Sequence, residues 1–173
     1  MDKGLIHIYC GDGKGKTTAA IGLAIRCAGA GGKVLFFQFL KGNSSSERNI
    51  LKEINNIDVI GGVENIKFVW NMTDEEKAET ARSYKKIFED IVNRAAEYNM
   101  MIFDEIIPAL KYDFVSEKEL VNFLKAKPER TEIVLTGREP SDTLIQLSDY
   151  VTEMKKIRHP FDKNIKARQG IEY

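Results

Sequence analysis

Cysteine is scarce: Cys10 and Cys27 are the two in 173 residues. Their spacing fits neither a zinc site nor a disulfide framework, so they read as buried thiols in a reducing compartment rather than as nucleophiles. Histidine is equally scarce. His7 alternates with apolar residues and His159 precedes Pro160; neither has metal-ligand spacing, both read as structural, and no serine, histidine and aspartate set is recognisable. No apolar run reaches about 18 residues. There is no signal-like start either, since Met1-Asp2-Lys3 leads straight into the first strand, so a cytoplasmic location without a membrane partner is expected. Net charge is also missing: 26 Lys and Arg against 26 Asp and Glu leave no field that favours nucleic acid or an anionic membrane. The expected partner is therefore small. Without repeats or low-complexity segments, and with 43% hydrophobic residues, residues 1–173 read as a single domain with a sizeable core.

The chain is organised around Cys10-Gly11-Asp12-Gly13-Lys14-Gly15-Lys16-Thr17-Thr18. An apolar run feeds a glycine-rich turn and then a helix-compatible segment. Gly11, Gly13 and Gly15 allow backbone conformations closed to other residues, so successive N–H groups converge on an anion at a helix N-terminus. Lys16 adds a point charge, and Thr17 offers its hydroxyl to a magnesium ion bridging phosphates. The strict pattern G-x-x-x-x-G-K-[ST] is not met, because Cys10 stands at the first glycine. The loop is a shorter variant.

Gly4 to Cys10 reads as a strand, Thr17 to Ala28 as a helix and Lys33 to Phe39 as a central strand covered on both faces, which implies a parallel sheet. Leu40 to Glu47 is a polar loop, and Arg48 to Ile54 starts a short helix. Ile57 to Ile60 and Ile66 to Val69 are weaker strand candidates around Gly61-Gly62. Thr73 and Glu76 form a capping-box pattern before a long helix with an apolar stripe through Tyr84, Ile87, Phe88, Ile91, Val92 and Ala95. Met100 to Phe103 is a buried strand ending in Asp104-Glu105. Ser116 and Glu119 repeat the capping pattern before a helix over Lys118 to Lys125. Thr131 to Thr136 is the next strand, Asp142 to Leu147 a short helix, and Tyr150 to Ile157 an alternating strand toward a sheet edge. His159 to Tyr173 shows no clear period.

Asp104 and Glu105 fall at the carboxyl end of a parallel strand, the edge that carries the cradle, and share one candidate magnesium site; a helix cap is the alternative for Asp104. Arg138 emerges on the same edge and suits phosphate oxygens, against a solvated loop arginine. Arg26, about two and a half turns beyond Lys16, and Lys41, after the second strand, are phosphate-side candidates balanced against simple solvation. Phe68 and Trp70, at i and i+2, point to one side of an extended segment. They suit a wall for a flat ligand, although residue type alone favours core packing. The chemistry calls for no protein base.

Taken in order, these residues resemble the ATP:cob(I)alamin (corrinoid) adenosyltransferases of the phosphate-loop type over nearly the whole chain. The resemblance rests on Gly11-Asp12-Gly13-Lys14-Gly15-Lys16-Thr17-Thr18-Ala19-Ala20, Gln38-Phe39-Leu40-Lys41-Gly42, Glu47-Arg48-Asn49, Phe68-Val69-Trp70 and Asp104-Glu105. It continues through Tyr112-Asp113, Thr136-Gly137-Arg138, His159-Pro160-Phe161-Asp162 and Gly170-Ile171-Glu172-Tyr173. It implies an α/β, RecA-like P-loop fold, a mostly parallel sheet with helices on both faces, working as a homodimer. The implied reaction moves the 5′-deoxyadenosyl group of ATP to the cobalt of a reduced corrinoid, releasing triphosphate, in adenosylcobalamin synthesis or salvage. By resemblance Lys16 and the cradle, Gly11 through Thr18, hold the triphosphate, while Thr17 and Glu105 contact Mg2+ or Mn2+. Phe68 and Trp70 pack under the corrin and keep its lower base off cobalt, which reverses the preference for core packing; a reduced flavoprotein is the implied electron donor. Two departures stand out. The chain is expected to lack the N-terminal helical arm that some members carry before the first strand, and Asp12 places a negative charge where relatives can carry asparagine.

Two other readings remain open: an ATPase or phosphotransferase on the same fold, with Glu105 activating water or a hydroxyl, and a non-catalytic nucleotide-gated binding module. Neither needs Phe68 with Trp70.

Overall fold

Runs of β-branched and aromatic residues form six strands, β1 (Ile6–Cys10), β2 (Val34–Gln38), β3 (Ile57–Val59), β4 (Met100–Asp104), β5 (Glu132–Thr136) and β6 (Tyr150–Glu153). The computed structural model describes residues 3–42, 45–63 and 66–172. Met1, Asp2, Asn43 and Ser44 of the expected polar loop, and Tyr173 of the tail motif lie outside the described residues. The strands make one sheet in the order β3-β2-β4-β5-β1-β6, and every pairing is parallel. All carboxyl ends therefore share one edge.

Helices α1 (Lys16–Gly29), α2 (Ser46–Leu51), α3 (Asp74–Asn93), α4 (Ile106–Lys111), α5 (Glu117–Ala126) and α6 (Asp142–Leu147) cover both faces. Period-2 alternation in the central strands divides the core. Leu35, Phe37, Met101, Phe103, Ile133 and Leu135 pack with α3 to α6 through Tyr84, Phe88, Ile107, Leu120 and Leu144. Val34, Phe36, Met100, Ile102 and Val134 face α1 and α2 through Ala20, Ala24, Cys27 and Leu51. The small residues of α1 bring it close to the sheet, so its N-terminus stands directly over the edge where β1 ends. Both cysteines are buried and unpaired. Among the described residues no helix is long and apolar enough to cross a membrane.

The capping box at Thr73 and Glu76 forms as expected, and Ser116 accepts the Glu119 amide. Three elements differ from the sequence reading. The Ile66–Val69 strand does not form: β3 is the last strand on that side of the sheet, and the chain instead buries Val69 and Met72 and makes a 3-10 turn over Val69–Asn71. Helix α4 was not expected, because it carries Pro108 and starts from Glu105 at φ 58 rather than from a serine or threonine cap. Proline is tolerated there, in the first turn, where the missing N–H would have no partner. Strand β6 stops at Glu153 rather than Ile157, because Met154 to Lys156 turn across the loop after β1.

Candidate active site at the carboxyl edge of the sheet

Cys10, Gln38, Asp104, Thr136 and Glu153 end five strands on one edge, and each is followed by a segment that reaches the site. The Gly11–Gly15 turn enters α1 with Gly11 at φ 96 and Gly15 at φ 113, a backbone closed to other residues. Gly13 has a different reason: a Cβ there would stand 2.5 Å from the Met154 carbonyl oxygen. The segment after β6 lies across the turn, with the Met154 N–H donating to Cys10 O at 2.8 Å and the Gly13 N–H to Met154 O at 2.6 Å. The Lys156 N–H donates to Asp12 Oδ1 at 2.9 Å. That hydrogen bond, more than neighbouring Lys156 and Arg138, holds the Asp12 carboxyl below its usual range. Lys14 is exposed and 3.7 Å from Glu172 Oε1.

Lys16 is buried, and its ammonium donates to Gly11 O and Gly13 O, each at 2.8 Å. Burial pulls its pKa down, and Glu105 and Asp104 pull it partly back. A cation resting on carbonyls in a desolvated turn is set to take an anion. Thr17, one residue on, donates its hydroxyl to Asp104 at 2.9 and 3.1 Å. With its proton so directed, the oxygen keeps its lone pairs for a cation. Thr18 is exposed on the same turn of α1.

Asp104 is the hub, fully buried at the end of β4. It also accepts from Thr136 Oγ1 at 2.7 Å and Gln38 Nε2 at 2.9 Å, and Lys41 Nζ stands 3.8 Å away. Its carboxylate caps no helix: α4 begins at Ile106 with Glu105 in the cap position and no side-chain cap. Glu105 donates its N–H to Thr136 Oγ1 at 2.9 Å. Burial, then the charge of Asp104, pushes its carboxyl above the usual range, with Lys41, Lys16 and Arg138 opposing. Arg138 is exposed on the loop after β5 and adds positive potential at Lys16, Asp12 and Glu105.

The loops after β1, β2, β4 and β5 thus bring together Gly11 to Thr18, Lys41, Glu105 and Arg138. Arg26 is not brought to this group: it lies exposed on the last turn of α1, about 15 Å along the axis from Lys16, because α1 points away from the edge. Phe68 and Trp70 do face one side, but through the 3-10 turn rather than a strand. Their rings stack at 4.7 Å with planes 8° apart, and they are 67% and 74% exposed, so core packing does not describe them. The Met154–Lys156 crossing went unassigned in sequence reasoning, and Gln38 and Thr136 entered only through motifs. A polar residue closing an otherwise apolar strand, as in KVLFFQF and EIVLT, was the available signal for two of them.

One structural neighbour, a KaiC-like protein from Pyrococcus horikoshii, superposes with a TM-score of 0.51 at 16% identity, covering 88% of this chain and 73% of that one. The shared fold is the RecA-like phosphate-loop sheet. In sequence the chain is 37% identical to a corrinoid adenosyltransferase of a Sinorhizobium species, over 99% of this chain and 81% of that protein. It is 33% identical to a corrinoid adenosyltransferase of Escherichia coli K12, over 99% of this chain and 87% of that one. The family model described as ATP:corrinoid adenosyltransferase BtuR/CobO/CobP matches residues 2–173, and the chain belongs to that family.

Proposed function

We propose that this chain, as one nucleotide-binding domain, transfers the 5′-deoxyadenosyl group of ATP to the cobalt of a reduced corrinoid and releases triphosphate. The carrying observation is the exposed, parallel stack of Phe68 on Trp70. An ATPase or a nucleotide-gated module has no use for a bare aromatic face held at the surface, whereas a flat macrocycle does.

Cobalt(I) brings its own electron pair. The cobalt–C5′ bond forms as the C5′–oxygen bond breaks, with both electrons of the old bond leaving on triphosphate. The protein has only to align C5′ and stabilise the leaving group. Lys16 and the cradle from Gly11 to Thr18 hold the triphosphate, the Gly13 amide being committed to Met154 O, with Lys14, Lys41 and Arg138 adding positive charge at the rim. The all-oxygen set of Thr17, oriented by Asp104, and Glu105 fits a hard cation, Mg2+ or Mn2+. Among the described residues no group of three His, Cys, Asp or Glu is arranged to hold a metal alone, which suits an ion shared with substrate phosphates. Such an ion neutralises charge on the leaving triphosphate. Phe68 and Trp70 occupy the lower face of the corrin and displace its base, so that cobalt(II) accepts an electron from a reduced flavoprotein. A cytoplasmic homodimer completes the proposal, supported by two unpaired cysteines and by exposed Tyr150, Val151, Ile157 and Phe161.

Phe68→Ala and Trp70→Ala are expected to impair turnover from cobalt(II) far more than from chemically prepared cobalt(I), and to remove the four-coordinate, base-off spectrum of bound cob(II)alamin. Because both rings are exposed, stability should stay within ~0.5 kcal/mol of the parent. Variants that keep that spectrum would move the corrin site elsewhere.

A further inference from the structure

Gln38 ends β2 as the polar residue of a buried apolar strand. Its Nε2 donates to Asp104 Oδ2 at 2.9 Å and to Glu47 Oε1 at 3.1 Å. The two carboxylates fix the amide's orientation, since turning it would set Oε1 against acceptors only. That leaves Oε1 buried with no hydrogen-bond partner among the described residues. Buried acceptors are rarely left so, and one at a proposed active site points to a donor that arrives with a ligand. The amide is one hydrogen bond from Asp104, which in turn holds the Thr17 hydroxyl. A magnesium ion keeps several waters when bound by few protein groups, and those waters are donors toward whatever surrounds them.

We infer that Gln38 is a positioning residue of the cation site: its Nε2 ties Asp104 to Glu47, and its Oε1 accepts a hydrogen bond from the hydration shell of the divalent ion that accompanies ATP. This rests on the proposed cation role of Thr17 and Glu105. Because Oε1 is closed to solvent in the free protein, a side chain at the rim moves when the ion enters. Lys41 is suited to that movement, being a partly exposed lysine 3.8 Å from Asp104 that is drawn toward phosphate. Gln38 touches neither nucleotide nor corrinoid, so it sets the affinity for the ion and not the chemistry.

The test is calorimetric titration of the full chain with ATP, in chelator and over a range of Mg2+, with thermal melting alongside. In Gln38→Met, a near-isosteric change without polar atoms, metal-free ATP affinity should stay within about twofold of the parent. The Mg2+ concentration for half-maximal tightening should rise about 10- to 100-fold, the usual cost of losing an outer-shell partner. Glu47→Gln, which loosens one anchor of the amide, should raise it less; it keeps the test alive should Gln38→Met fail to fold. The inference is overturned if Gln38→Met weakens ATP equally with and without Mg2+, the pattern of a nucleotide hydroxyl on Oε1. It is also overturned if only the melting temperature falls, the pattern of an internal water there, or if Glu47→Gln leaves the midpoint unmoved. A parent without Mg2+ dependence removes the cation reading and this inference together. A parent that responds, with Glu105→Gln shifted and Gln38→Met not, removes the inference alone.

Discussion

Lys16 and Glu105 carry opposite burdens in the same pocket. The ammonium is desolvated with its pKa lowered, and the carboxyl is desolvated with its pKa raised. Replacing Lys16 by alanine removes a charge-assisted contact to triphosphate, and the expected loss in the transition state is about 2–4 kcal/mol with the fold intact. Near-normal turnover at saturating ATP would contradict the role given to the cradle. For Glu105 the raised pKa fixes the sign of the stability effect. Its ionised form is less favourable folded than unfolded, so the favourable contribution is complete below the ordinary carboxylate range, about pH 4, and disappears as pH rises through the raised value. Glu105→Gln is therefore expected to melt above the parent at neutral pH without nucleotide, with the difference shrinking on acidification. The same variant should weaken the Mg2+ dependence of ATP binding. A lower melting temperature at neutral pH would mean that the carboxylate serves structure rather than the ion.

At the scale of elements, the crossing of Met154 to Lys156 over the cradle explains a glycine that phosphate binding alone leaves ambiguous. Gly13→Ala sets a Cβ against a backbone oxygen at 2.5 Å, and backbone cannot swing aside as a side chain can. The expected cost is about 1–3 kcal/mol, read from chemical unfolding, with weaker ATP binding because the turn must shift. Gly22, with nothing within 4 Å, is the control position and should tolerate alanine. Helix α3 was legible from its Thr73 cap and apolar stripe, since both signals are local. Helix α4 was not, because it starts from a left-handed Glu105 and carries proline in its first turn. The aromatic turn was half legible: spacing put Phe68 and Trp70 on one side, but the missing strand partner that makes the segment a turn is a tertiary fact.

For the molecule as a whole, the parallel sheet was readable because β2 and β4 are continuous apolar runs and a helix follows the first strand. What a linear reading could not supply was convergence. Gln38, Asp104 and Thr136 lie far apart in sequence, and strand order sets β2, β4 and β5 side by side so that one carboxylate collects Gln38 and Thr136, with Thr17 arriving from α1. The direction of α1, away from the carboxyl edge, sets Arg26 at the far end of the helix. Family membership accounts for ATP and a corrinoid as substrates; the proposed role of the exposed aromatic stack is to hold the flat partner. The most direct measurement gives the purified chain ATP, Mg2+ and chemically reduced cob(I)alamin, and follows both the corrinoid and the nucleotide products. The account predicts a carbon–cobalt bond and intact inorganic triphosphate in equal amounts. Orthophosphate with ADP, or unchanged ATP, and no alkylated cobalt would contradict it.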